Sequence, residues 1–131
     1  MSQKLPLLDF TEIGVFVFEQ DKEFVIYPLN KPPVCFRGFK VLSYDDVDVE
    51  TGTYSGDYTM YLTVSGKLIV EFETAGYVEG EERSGYRKAR KLETLNDVWT
   101  FHSHIDQAYI DFLAECAKKL EQPTLFWLKV E

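Results

Sequence analysis

The chain has 131 residues, 45% of them hydrophobic and 15% aromatic, enough to build one core without disulfide or metal staples. Its 22 acids and 14 bases give a net charge of −8, which works against general binding to a phosphate backbone and suits a basic protein as partner. No apolar run approaches the length of a membrane span, and Leu5–Leu8 is too short for a secretory core. The expectation is therefore one domain over residues 1–131, cytoplasmic and away from membranes.

The first elements read as strands. Residues 13–19 are β-branched and aromatic, Gln20 and Asp21 offer a turn, and residues 22–28 repeat the pattern, so 13–28 predicts a hairpin. Pro32 and Pro33 mark a loop, since each fixes φ and removes a backbone donor. A third strand is expected from Cys35 to Ser43. The segment from Asp45 to Asp57 is acidic and contains glycine, and reads as a loop.

The clearest hairpin spans Tyr58–Val64 and Lys67–Glu73 around Ser65-Gly66, a pair that permits the positive φ of a tight turn. Alternation along the first of these strands sends Tyr58 and Tyr61 to opposite faces. A second polar loop is expected from Gly76 to Gly85. Tyr86–Leu92 then reads as an edge strand, whose charges deter sheet-to-sheet association.

Helices come late. Thr94-Leu-Asn-Asp97 has the form of a capping box with Asp in place of Glu and opens a short helix through Trp99 or Phe101. Ser103 to Asp106 repeats the device. Ile105, Tyr109, Phe112, Leu113, Cys116 and Leu120 then form one apolar stripe over a helix of about residues 104–120. Pro123 stops it, and Thr124–Val130 reads as a buried closing strand. The implied architecture is α+β: a twisted antiparallel sheet of about five to seven strands, an amphipathic C-terminal helix on one face and a closing C-terminal strand.

Charge segregation is the most informative functional signal. Arg83, Arg87, Lys88, Arg90 and Lys91 fall within nine residues that hold no acid, so the other residues carry −13. With Tyr86 among them, these cations could hold a phosphate and stack a base, the nucleic-acid alternative. Asp45, Asp46, Asp48, Glu50 and Asp57 form the opposing acidic segment. Counting from Asp46 places Thr51 where an EF-hand loop needs glycine and Asp57 where it needs glutamate, so the segment reads as bait for a basic partner rather than a calcium loop.

His102 and His104, with Asp106, supply three candidate metal ligands, but at a helix start residues two apart do not share a face. No metal or cofactor is expected. Cys35 and Cys116 lie in apolar surroundings and read as buried free thiols. Nucleophile elbows, glycine-rich phosphate loops and zinc-protease motifs are absent from the sequence. The leading expectation is a non-catalytic interaction protein that masks a partner, of the immunity or inhibitor type found on phages and plasmids. Alternatives are a small-molecule or nucleotide site, binding or enzymatic, using His102, His104, Tyr86 and Arg87, or nucleic-acid contact through residues 83–91. Partner identity and oligomeric state are not written in the composition.

Overall fold

The computed structural model describes residues 4–5, 22–49, 54–78, 81–128 and 130; residues 45–49, 54–55, 74–78 and 81–86 are described through their backbone alone. Five strands follow one another: β1 (Lys22–Ile26), β2 (Val34–Val49), β3 (Tyr54–Thr63), β4 (Leu68–Val78) and β5 (Glu81–Leu92). Each pairs antiparallel with the next, so spatial order equals chain order. Two helices complete the fold: α1 (Leu95–Trp99) and α2 (Gln107–Lys119). This is the expected α+β arrangement.

The sheet is curled. β2 carries register shifts between Lys40 and Leu42 and between Tyr44 and Val47, and such extra residues bend a strand and sharpen its twist. The curl brings the two ends of the strand order together: the Leu29 N–H, just past β1, donates to the Arg87 carbonyl of β5 at 3.0 Å. Gly38 permits the close approach of β2 to β3, because a Cβ there would stand 2.2 Å from the Leu62 carbonyl oxygen.

Side-chain alternation gives the sheet two apolar faces. On the outer face Tyr58, Met60, Leu62, Leu68, Val70, Phe72 and Leu92 form the main core with the helices. α2 contributes Tyr109, Phe112, Leu113, Cys116 and Ala117, all buried. On the opposite face Ile26, Tyr61 and Ile69 form a smaller cluster with Phe24, Phe36 and Ala89, one or more residues from each strand. Tyr58 and Tyr61 thus divide between the faces, as period-two alternation requires.

The β3–β4 hairpin closes with Gly66 at φ 87°, and the Thr63 side chain accepts from the Lys67 N–H at 2.9 Å. The Thr94 capping box is complete: the Thr94 hydroxyl accepts from the Asp97 N–H, and the Asp97 carboxylate accepts from the Thr94 N–H.

Several boundaries differ from expectation. The segments read as loops, 45–57 and 76–85, lie largely in paired strands: β2 runs on to Val49, β3 starts at Tyr54, and β4 and β5 reach Val78 and Glu81. Polar composition there belongs to the outer parts of long hairpins, where cross-strand pairing persists. Of the first predicted hairpin, residues 13–21 lie outside the described residues, and Lys22–Ile26 pairs with β2. α2 begins at Gln107, not after Ser103. Asp106 is its N-cap, accepting from the Tyr109 N–H at 2.9 Å, because Phe101 and His102 must first be seated against the sheet. The C-terminal segment closes the core, but as turns over residues 123–126. Leu125 and Phe126 are buried side by side, which strand alternation does not allow, and Trp127 N–H returns to the Thr124 carbonyl.

Candidate functional site

The basic segment lies on β5, at one edge of the five-strand order, and its described cations are committed within the chain. Arg87 pairs with Glu73 at 3.1 Å, and Lys91 with Glu93 at 2.7 Å. Lys88 and Arg90 share a face with Leu92 and turn toward the helices. Lys88 Nζ donates to the Phe101 carbonyl and stands 4.4 Å from the centre of the Phe101 ring. Arg90 donates to the Asp97 carbonyl at 3.0 Å and to Thr100 Oγ1 at 2.9 Å. The last turn of α1 holds no basic residue, so β5 supplies the cations that its free carbonyls attract. The expected solvated ribbon is thus in part a structural brace. The side chains of Arg83 and Tyr86 fall outside the described set.

The acidic residues are placed by their backbone. Asp45, Asp46 and Asp48 lie in the outer part of β2, with Asp48 opposite Ser55 of β3. Asp57 of β3 stands between β2 and β4, opposite Glu73. Glu50 lies outside the described residues. From residue 45 to 57 the chain contains five acids and no base, and four of the acids fall on the paired strands β2 and β3.

The histidines part company. His104 is exposed, and Asp106 is occupied as the cap of α2, so the three candidate ligands do not meet. Among the described residues no group of three His, Cys, Asp or Glu is arranged to hold a metal. His102 instead enters an aromatic box. Its Nε2 lies 2.7 Å from Tyr58 Oη, and its ring meets Phe72 at 4.9 Å, Phe101 at 4.7 Å and Tyr109 at 5.3 Å between centroids.

Burial, reinforced by Lys88, pushes the His102 imidazole from its ordinary 6.5 down to about 4, with Asp106 opposing and Arg90 adding to the shift. Burial also raises the Tyr58 and Tyr109 phenols, which therefore stay protonated at neutral pH. A protonated phenol is the natural donor to a neutral imidazole. The Tyr109 hydroxyl donates to the Val98 carbonyl at 2.5 Å. This neutral network fastens the 100–105 segment to the sheet; at neutral pH neither partner is poised to move a proton.

Sequence reasoning missed these partners because they come from β3, β4 and α2, far apart in the chain. It also missed Tyr61 and Glu71 on the other face, where the phenol donates to the carboxylate at 3.3 Å. Burial raises the Glu71 carboxyl.

An apolar groove of about 80 Å³ lies elsewhere, between α2 and the C-terminal turns. The two cysteines are free. Cys116 is buried as expected, whereas Cys35 is exposed on β2, because it alternates with Phe36 of the smaller cluster and shares the open face of its register partner Val25. Among the described residues no helix is long and apolar enough to cross a membrane. No family model, curated protein or solved structure matches the chain.

Proposed function

We propose that this chain is a non-catalytic interaction protein, of the immunity or inhibitor type, that binds and masks a basic partner protein through the acidic end of the β2–β3 pair. One observation carries the reading. Residues 45–57 hold five acids and no base, four of the acids on two adjacent strands, while Arg87, Lys88, Arg90 and Lys91 are each engaged inside the chain. Four of the five cations of the basic segment are thus engaged elsewhere, which supports a negative field at the hairpin end, and such a field steers a positive partner into contact. The same commitment of cations weakens the nucleic-acid reading, which needs them free for phosphates. Two free thiols suit the reducing cytoplasm in which such a protein would act.

The test begins with capture from the native host's lysate, comparing wild type with an Asp46→Lys/Asp48→Lys variant. The expected result is one stoichiometric basic protein held by wild type. Against that purified partner, the variant should associate roughly tenfold more slowly at low salt, with a flatter salt dependence. An association rate unchanged by the double reversal would overturn the assignment of this surface.

A further inference from the structure

We propose that the groove beside α2 is the contact surface of a symmetric homodimer, in which two copies of α2 cross antiparallel about Ala114. It is argued from the exposed face of α2, which packs through Phe112 against Tyr44 of β2, and it does not depend on the function proposed above.

The groove is walled by Ile110, Ala114 and Ala117 of α2 and by Pro123, Phe126 and Trp127 of the C-terminal turns. Two of its apolar walls are open to solvent: Ile110 is 38% exposed and Trp127 63%. Single exposed hydrophobics are ordinary, but an exposed indole and an exposed isoleucine on the walls of one apolar groove make a patch of the kind that partners cover. Ala114, small and exposed on the helix between them, lets a second helix approach closely.

Charge selects the partner. Residues three and four apart share a helix face, so Asp111 lies one turn before Ala114 and Lys118 one turn after it, both exposed beside the Ile110–Ala114 stripe. Asp111 bonds only the neutral Gln107 amide at 2.8 Å, and Lys118 has no ion pair among the described residues. A two-fold axis at Ala114 reverses the partner helix. It then sets Asp111 against the partner's Lys118, and Lys118 against the partner's Asp111. A surface that complements itself under a two-fold rotation is what an isologous dimer requires. Ile110 would be carried over the partner's groove, whose volume of about 80 Å³ is on the scale of such a side chain.

Sedimentation velocity of the full chain across a concentration series tests this directly. Wild type should show a reversible monomer–dimer equilibrium, and Ile110→Glu should abolish it. Asp111→Lys and Lys118→Asp should each weaken the dimer about tenfold, since each reversal turns two attractive contacts repulsive. The double variant Asp111→Lys/Lys118→Asp should recover wild-type affinity to within about threefold. Circular dichroism establishes that the variants keep the helix, and the charge exchange carries the test if Ile110→Glu does not fold. A wild-type chain that remains monomeric to roughly 1 mM overturns the proposal and leaves the face to a different protein. So does a dimer indifferent to Ile110→Glu, or one that the double exchange fails to restore.

Discussion

Acid should destabilise the chain through His102 well before most carboxylates are protonated. The unfolded imidazole takes a proton near its ordinary 6.5, whereas in the fold burial and Lys88 hold it to about 4. Between these values the unfolded state binds more protons, so stability is complete above about pH 6.5 and falls as pH drops toward 4. At pH 5 the difference corresponds to about 2 kcal/mol for a fully buried ring. His102 is only half-buried, and solvent screening brings the expected loss to about 1 kcal/mol.

The assay is urea unfolding of wild type and His102→Gln at about pH 7.5 and about pH 5. The glutamine keeps a polar partner for Tyr58 but has no proton to gain. Its stability should fall about 1 kcal/mol less than that of wild type over this interval. A parallel NMR titration should place the His102 ring near 4. A ring that titrates at about 6 or above, or equal pH slopes in the two proteins, would refute the reasoning.

Gly38→Ala should cost about 3 kcal/mol in equilibrium unfolding, because its Cβ would meet the Leu62 carbonyl oxygen at 2.2 Å and Thr63 Cα at 2.7 Å, both backbone. Gly56→Ala should cost less, about 1–2 kcal/mol, since it meets a Phe72 ring carbon at 2.7 Å and a side chain can shift. Equal losses would mean that the backbone contact at Gly38 is not what sets its cost. Thr94→Ala should remove about 1 kcal/mol by breaking the capping box of α1, read as a lower urea midpoint at constant slope. A thiol reagent should label one cysteine in the native protein and two after unfolding. Glu23 accepts from the Cys35 thiol at 3.3 Å and raises its pKa, so native labelling should accelerate as pH rises.

Elements governed by local rules were legible in the sequence. Ser65-Gly66 announced the β3–β4 turn because positive φ is a property of one residue, and Thr94 with Asp97 announced α1 because a capping box spans four. The apolar stripe from Tyr109 to Leu120 located α2 but not its first residue, since Ser103 and Asp106 are equally good caps in isolation. Tertiary seating of Phe101 and His102 decided between them. The long hairpins failed for the same reason in reverse. Residues 45–57 and 76–85 lack the alternation that marks a buried strand, and what holds 45–49, 54–57, 76–78 and 81–85 extended is backbone pairing with neighbours.

Charge shows the limit most clearly. Read along the chain, Arg87, Lys88, Arg90 and Lys91 form one basic segment, with the force of a binding surface. Strand geometry divides them by parity. Lys88 and Arg90 face the helices and reach the open carbonyl end of α1 and the Phe101 ring, while Arg87 and Lys91 face the other way and meet Glu73 and Glu93. Each cation then meets a partner fixed by the fold, so the summed charge overstates what remains for a ligand. The acids from Asp45 to Asp57 have no base among them in the sequence, and the register partner of Asp57 on β4 is another acid, Glu73, which is paired with Arg87. That asymmetry, visible only once the strands are paired, is why the acidic hairpin rather than the basic strand carries the proposed function.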